Sequence, residues 1–338
     1  MINDDDVRRA EEAFDESGVE GILAGLRAGA VKGQAFREMK ITPRKRLLDD
    51  WFREGDTGFV FSRRGTGKTW LAWAIARAIA RGEGTGPWQA GEGSAQVCYL
   101  DGEMPAELMQ DRDKAFGEVC ENLTLINHEI LFEQTSLVLN LADPKVQRAI
   151  TQWCVEVGCK VLVIDNLSTL ISGVKENDAD AWEALLTWLL DLRRRKIAVL
   201  LIHHAGRSGE MRGTSRREDS VFWILKLEEQ IDYEGPGCSF LVRFDKNRNS
   251  ALNSSDYVWT FEPSNNGAIK ISWKAATLEA RVLSAIADGI CHCKQIAHEL
   301  GCSPGAVSKA AKKLEAAGKI GIAGRKYSLI GGGIDLDL

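Results

Sequence analysis

A glycine-rich segment that ends in a lysine and a threonine, SRRGTGKT, occupies residues 62–69. Glycines let backbone N–H groups point at phosphate oxygens, the Lys68 ammonium can neutralise charge on the β- and γ-phosphates, and the Thr69 hydroxyl can ligate Mg²⁺. Ser62 stands where glycine is usual, and its small side chain is expected to be tolerated. We therefore predict a site for ATP and Mg²⁺ formed by Ser62, Arg63, Arg64, Gly65, Thr66, Gly67, Lys68, Thr69 and Trp70.

Carboxylates follow two further apolar runs. KVLVIDN contains Asp165, and an aspartate at the end of a buried strand can hold Mg²⁺ together with Thr69. CYLDGEMP contains Asp101 and Glu103, either of which can orient the water that attacks the γ-phosphate. We prefer Glu103 as the catalytic residue because it lies just past the strand, and Asp101 is the alternative.

Polar and basic residues follow two more apolar runs. VLLIHH places His203 and His204 where one imidazole can contact the γ-phosphate, and RFDKNRNS places Lys246 and Arg248 two residues apart. Lys246 and Arg248 can project on one side toward a phosphate, but taken alone the pair is slightly more typical of a solvated hairpin tip. The loop after His204 combines glycines with four arginines, which suits nucleic-acid phosphates. These arginines are Arg207, Arg212, Arg216 and Arg217.

The elements that must position these residues can be read from periodicity. From residue 58 onward, apolar runs of strand length alternate with helical patterns, which predicts a parallel sheet covered on both faces. Later runs, from SVFWILKLEE to AIKISW, predict antiparallel strands that extend the sheet at its edge. The predicted fold class is therefore α/β.

The pattern changes near residue 275. The pattern of residues 275–330 predicts three helices followed by a hairpin, which is the order of elements in a winged helix. Ser303 is suited to be the N-cap of the last helix, Pro304 its first residue and Gly318 the residue that follows it. This segment has eight Lys or Arg and four Asp or Glu, a net charge of +4, whereas the whole chain has −5. The residues predicted to contact DNA are Ser308, Lys309, Lys312, Lys313, Arg325 and Lys326.

Composition limits the class of protein. The chain has 338 residues, of which 44% are hydrophobic and 27% charged, and its apolar runs are too short to span a bilayer. The acidic N-terminus lacks the apolar core of a signal peptide, so we expect a cytoplasmic protein without a membrane partner. The eight cysteines form no C-x-x-C pair and are interpreted as free thiols, and CHCKQIAH as a helix entry rather than a zinc site. The predicted domains are a helical extension (1–45), an ATPase core (46–274), a winged helix (275–330) and a flexible tail (331–338).

Three longer runs carry a family resemblance: YLDGEMPAELMQDR, VLVIDNLSTLISG and LLIHHAGRSGEMRGTSRRED. Over residues 45–275 they resemble the RecA/DnaB-like P-loop ATPases, above all the branch of the hexameric RepA replicative helicases of plasmids. The resemblance implies a RecA-like core in which Lys68 and Thr69 bind phosphate and Mg²⁺, Glu103 is the catalytic glutamate and Asp165 the Mg²⁺-site aspartate. It also implies that His204, or alternatively His203, is the polar switch residue.

Further roles follow from the resemblance alone. Lys246 and Arg248 match a Lys-x-Arg pair that reaches the ATP site of the neighbouring subunit, and the loops after Asp165 and His204 match loops that face nucleic acid. We expect a homo-oligomer in the form of a hexameric ring. It would act as an ATP-driven DNA helicase or translocase. Single-stranded DNA would occupy its channel, and duplex DNA would bind the winged helix. The alternatives are an ATP-dependent DNA-bound switch and a KaiC-like signalling ATPase without nucleic acid.

Overall fold

The structure, a computed structural model, describes residues 18–171, 179–204, 220–230, 233–250, 255–324 and 326–330. Five arginines with predicted nucleic-acid roles lie outside the described residues, as does the tail 331–338. They are Arg207, Arg212, Arg216, Arg217 and Arg325.

The residues that the structure describes form two contact units, which divide between Pro43 and Arg44. The first contains α1 (Gly18–Gly29) and α2 (Gly33–Glu38), in which no residue is buried. The other helices belong to the second unit. They are α3 (Lys68–Arg81), α4 (Ala106–Ala115), α5 (His128–Thr135), α6 (Pro144–Glu156), α7 (Leu167–Leu170), α8 (Ala179–Arg194), α9 (Leu278–Ala287), α10 (Cys293–Glu299) and α11 (Pro304–Ala316).

The strands all lie in the second unit. They are β1 (Arg46–Leu48), β2 (Phe52–Arg53), β3 (Thr57–Ser62), β4 (Val97–Asp101), β5 (Leu123–Asn127), β6 (Val161–Asp165), β7 (Ala198–His204), β8 (Trp223–Glu229), β9 (Cys238–Asn247), β10 (Tyr257–Pro263), β11 (Ile269–Ala275), β12 (Ile320–Ala323) and β13 (Lys326–Leu329). Among the described helices, none is long and apolar enough to cross a membrane.

A nine-stranded sheet organises the second unit, in the order β11-β10-β9-β8-β3-β7-β6-β4-β5. The strands from β8 to β5 are parallel, whereas β9, β10 and β11 pair antiparallel at one edge. The predicted α/β fold with antiparallel edge strands is therefore confirmed.

The register brings the predicted site residues together. Asp101 pairs with Asp165 across β4 and β6, and Ser62 pairs with His204 across β3 and β7. Because these strands are parallel, their carboxyl ends meet at one edge, where the loop before α3 also begins.

Both faces of the central strands are covered, which explains their continuous apolar runs. On β4, Val97 and Tyr99 join a core with α3, while Cys98 and Leu100 join a second core with α6 and α8. Each face therefore excludes water from the strands that carry the site.

Two parts of the second unit were missed by the periodicity analysis. The short hairpin β1–β2 precedes the sheet, and β5 with α5 follows α4. β5 is an edge strand that is only partly buried, so it has neither a continuous apolar run nor strict alternation.

The C-terminal segment contains α9, α10, α11 and the antiparallel pair β12–β13, the order that was predicted. Ser303 Oγ accepts from the Ala306 N–H at 3.2 Å, Pro304 starts α11, and Gly318 follows it with φ +69°, as the sequence indicates. A separate apolar core, including Val282, Ile296 and Leu314, holds the helices together.

Ion pairs join this segment to the edge strands. Asp288, after α9, pairs with Arg243 of β9 at 2.9 Å and also with Lys226 of β8. Arg281 Nε lies 2.8 Å from the Asp256 carboxylate, beside β10. The C-terminal segment is thus attached to the sheet through specific charges.

Candidate nucleotide-binding site

The loop between β3 and α3 needs glycine at two positions. Gly65 has φ +80° and Gly67 has φ +116°, backbone conformations that residues with a Cβ rarely adopt. At Gly67 a Cβ would also lie 2.5 Å from the ring of Phe240. Ser62 is the last residue of β3 and needs no such conformation, which explains why it can replace glycine.

The Lys68 ammonium is held inside this loop. Its Nζ donates to the carbonyl of Arg63 at 2.8 Å and to that of Ser62 at 3.3 Å, and the residue is only 5% exposed. Burial lowers the pKa of Lys68 to about 8, against the opposite effect of Asp165 and Glu103. The ammonium is thus positioned at the start of α3, where a bound phosphate would stabilise its positive charge.

Asp165 lies beside Thr69, as a shared Mg²⁺ site requires. Burial raises the pKa of Asp165 to about 6, the Asp101 charge adds to this, and hydrogen bonds from Tyr99 and Thr69 oppose it. The Tyr99 hydroxyl donates to Oδ2 of Asp165 at 2.7 Å. Tyr99 was not predicted from the sequence, although it lies in the same apolar run as Asp101.

Glu103 and His204 are linked by Asn166. The Asn166 amide donates to the Glu103 carboxylate and lies 3.0 Å from Nε2 of His204, and Glu103 Oε2 lies 3.6 Å from that nitrogen. Burial, and secondly the charge of Lys68, lower the pKa of His204, so its imidazole is neutral near pH 7. Sequence reasoning missed Asn166, although it directly follows Asp165 in KVLVIDN.

The geometry distinguishes the alternatives at two positions. Asp101 is buried, and its Oδ1 accepts from the backbone N–H groups of Glu103 and Met104 at 2.9 and 2.7 Å. The Glu103 side chain is 54% exposed, so it can contact water. His204 lines the cleft, whereas His203 is buried with its ring 6.3 Å from that of Phe59. These positions favour Glu103 and His204 for the predicted roles.

A cleft of about 430 Å³ connects these groups. Besides residues of the loop and the three carboxylates Asp101, Glu103 and Asp165, its lining includes Trp70 and Arg112, whereas Arg63 is exposed outside it. The Arg112 guanidinium lies 4.5 Å from the centre of the Trp70 ring. Arg112 was not predicted because it lies within a helix, away from any motif.

The other predicted residues lie elsewhere. Lys246 and Arg248, at and just after the end of β9, are described but are not among the residues that line this cleft. Lys309, Lys312 and Lys313 are exposed on α11, although Lys313 pairs with Glu279. Ser308 is half-buried on the same helix, and Lys326 is exposed at the start of β13.

The residues present fit a nucleotide with Mg²⁺. The two left-handed glycines leave the backbone N–H groups free of side-chain obstruction, and a buried ammonium stands at the helix start. Thr69 and Asp165 offer adjacent oxygens, and the buried Oδ2 of Asp101 has no partner among the described residues. Oxygen donors of this kind are the ligands that Mg²⁺ prefers.

Comparisons with known proteins give one family match and several similar solved structures. A family model described as an AAA domain matches residues 26–210. Two solved structures are similar: flagellar accessory protein FlaH from Methanocaldococcus jannaschii (14% identity, 65% of this chain and 90% of that one, TM-score 0.45) and KaiC-like protein PH0186 from Pyrococcus horikoshii OT3 (18% identity, 68% and 100%, TM-score 0.47). No curated protein sequence matches the chain significantly.

The family match includes the phosphate loop, both carboxylate-bearing strands and the strand that ends at His204. Proteins of this family generally use ATP and Mg²⁺. With its parallel sheet and its glycine loop, the chain belongs to the AAA domain family of P-loop ATPases with a RecA-like core.

Proposed function

We propose that this ATPase is an ATP-driven nucleic-acid motor, a DNA helicase or translocase that acts in the replication of a plasmid, phage or integrated element. The branch it would represent is that of the RepA-type ring helicases. One observation carries the proposal: Asn166 connects Glu103 to His204, the last residue before the segment that contains four arginines. A change at the γ-phosphate can therefore be passed to basic residues suited to a DNA strand.

Hydrolysis would depend on positioned groups in the cleft. Bound Mg²⁺·ATP supplies the phosphoryl group and the metal charge. The loop N–H groups and Lys68 hold the phosphates, Thr69 and Asp165 hold the metal, and Glu103 orients the attacking water. The Asn166 amide fixes the Glu103 carboxylate while His204, neutral near pH 7, completes the chain of hydrogen bonds.

Assembly would complete the site. Arg248 is exposed and does not line the cleft of its own chain, so it can serve a neighbouring subunit, with Lys246 beside it. In a homo-oligomer, which we propose to be a hexamer, this arginine would lie at each boundary between subunits.

The C-terminal segment would be a winged helix that binds duplex DNA. Its helix α11 exposes Lys309 and Lys312, and Lys326 is exposed in the following hairpin. Such helices enter the major groove while the hairpin contacts phosphates.

A second function is an ATP-dependent switch that stays on one DNA site and recruits a replication partner or regulates transcription. The ion pairs of Asp288 with Arg243 and Lys226 favour it, because they attach the C-terminal segment to the sheet rather than leaving it on a free linker. A signalling ATPase without nucleic acid is disfavoured by the positive charge of residues 275–330.

Two measurements on one sample distinguish these functions. Native mass is determined with and without a non-hydrolysable ATP analogue, and unwinding of a forked DNA duplex is followed with ATP. A ring that unwinds the fork supports the motor. A monomer or dimer that hydrolyses ATP without unwinding supports the switch.

The affinity for Mg²⁺·ATP is expected to be highest between pH about 6 and about 8. Below this window Asp165, with its pKa raised to about 6 by burial, takes up a proton and loses the charge that holds Mg²⁺. Above it Lys68, with its pKa lowered to about 8 by burial, loses its charge. Titration with a fluorescent ATP analogue across pH 5–9.5 measures both limbs.

Lys68→Arg is the control, because a guanidinium stays charged throughout this range. Its affinity should hold above pH 8, where that of the wild type declines. An identical decline in both proteins would show that Lys68 does not cause the alkaline limb.

Replacing Lys309 and Lys312 by alanine is expected to weaken duplex binding and to lower the slope of log K against log salt by roughly two. Both side chains are exposed, so the fold should persist. Lys270→Ala with Lys274→Ala removes the same charge from exposed positions on β11 and serves as the control. Equal slopes for the two double variants would contradict a DNA-binding role for α11.

A further inference from the structure

Three buried cysteines meet on the face of the sheet opposite α3. Cys98 lies on β4, Cys154 on α6, and Cys159 just before β6, and their sulfur atoms all lie within 4.8 Å of one another. Cys98 and Cys154 are 0% exposed and Cys159 is 2% exposed. Cys98 thus meets two cysteines from a distant part of the sequence, a contact that the spacing of the cysteines alone could not indicate.

The separation of the sulfurs suits one shared ion. Bonds from zinc to thiolate sulfur are about 2.3 Å, so two sulfurs on one ion of similar size lie at most about 4.6 Å apart. The observed upper bound of 4.8 Å is close to this limit. Small side-chain rotations would therefore suffice to bring the three sulfurs onto one centre.

The surroundings restrict the charge of that centre. The three cysteines belong to an apolar cluster with Leu100, Ile150 and Leu162. Hydrogen bonds within the trio raise the pKa of Cys98 and Cys154 and lower that of Cys159, and burial disfavours the thiolate form at all three positions. No cationic side chain is among the groups that act on these three sulfurs, so a charged complex would be costly in this apolar cluster.

The number and charge of the ligands select the ion. Among the described residues, the cluster offers three sulfurs and no histidine or carboxylate, whereas zinc prefers four ligands and would leave a net charge of −1 with three thiolates. Cu(I) would leave −2. A trivalent, sulfur-seeking metalloid takes three thiolates, needs no fourth ligand and leaves no net charge.

We propose that Cys98, Cys154 and Cys159 form a binding site for a trivalent thiophilic metalloid, represented by arsenic(III) as arsenous acid. Three S–H bonds and three As–OH bonds break, three As–S bonds form, and the thiol protons leave with the hydroxides as three water molecules. No electron is transferred, and the resulting complex of three thiolates with the trivalent centre carries no net charge.

A route for entry lies at the end of α6. Residues 155–158 are exposed, and Cys159 directly follows them. Local opening of this turn would admit a small neutral molecule without unfolding the sheet. Cys98 lies three residues before Asp101 on β4. A bound metalloid would therefore link α6 to a strand that carries residues of the nucleotide site.

The test uses the reduced full-length protein with sodium arsenite. After removal of free arsenite, elemental analysis is expected to give one arsenic per chain, and X-ray absorption to give three sulfur neighbours. Cys98→Ala, Cys154→Ala and Cys159→Ala should each lose stoichiometric binding. A variant that keeps only these three cysteines, with the other five replaced by serine, should retain it.

The Cys159→Ser variant distinguishes loss of arsenic binding from loss of folding. Its hydroxyl can keep the 3.2 Å contact with the Val161 carbonyl, and unchanged circular dichroism would show that the core persists. Absence of bound arsenic, coordination by two sulfurs, binding that survives in the Cys159→Ser variant, or zinc bound instead would each overturn the proposal.

Discussion

Arg248→Ala is expected to bind ATP nearly normally and to hydrolyse it about 10³- to 10⁵-fold more slowly, the effect typical of losing an arginine finger. The cleft of one chain already offers Lys68 and the oxygens of Thr69 and Asp165. What remains unneutralised is the charge that builds on the γ-phosphoryl oxygens, which a guanidinium matches with several donors. Turnover and nucleotide affinity, measured on the same preparation, separate the two effects.

Mixing the variant with Lys68→Ala shows whether Arg248 acts between subunits. Neither protein alone should turn over ATP. In an equal mixture roughly one boundary in four joins an intact Lys68 to an intact Arg248, so about a quarter of wild-type turnover should return. A mixture that stays inactive, while native mass shows mixed oligomers, would mean that Arg248 does not act on a neighbour.

Glu103→Gln is expected to retain ATP and to hydrolyse it about 10²- to 10⁴-fold more slowly, the range for loss of a general base. The amide keeps an oxygen that can accept from Asn166, so the loop should not move, but it cannot take a proton from water. Single-turnover hydrolysis measures the chemical step apart from product release.

Glu107→Gln is a matched control for this variant. It makes the same change on an exposed residue in the first turn of α4, and its turnover should equal that of the wild type. If Glu103→Gln hydrolyses ATP normally, the role passes to Asp101. That role is then tested with Asp101→Asn. Because Asp101 accepts hydrogen bonds from two backbone N–H groups, the conformation of the loop must be checked in this variant.

The residues of the cleft could be predicted because each lies where a strong local pattern ends. Asp101, Asp165 and His204 close continuous apolar runs, and a parallel sheet buried on both faces brings such ends together. Gly65 and Gly67 mark the turn that only glycine adopts readily. Sequence alone was therefore sufficient to predict the central strands of the sheet and to bring these residues to one edge of it.

What the sequence did not predict depends on contacts between distant segments. Arg112 lines the cleft, and Tyr99 and Asn166 form hydrogen bonds with residues that line it, through side-chain geometry that no periodicity encodes. The same holds for the cluster of Cys98, Cys154 and Cys159, which were interpreted as separate free thiols. β5 was missed because an edge strand, half exposed, lacks the apolar signal of a central one.

Steady-state ATP turnover with and without single-stranded DNA shows most directly whether hydrolysis in this cleft drives work on nucleic acid. Single-stranded DNA is expected to raise turnover several-fold in the wild type, this increase should fall steeply with salt, and Lys68→Ala should show no turnover in either condition. Turnover that is the same with and without DNA at low salt, in a protein that hydrolyses ATP through Lys68 and Glu103, would contradict the proposed function.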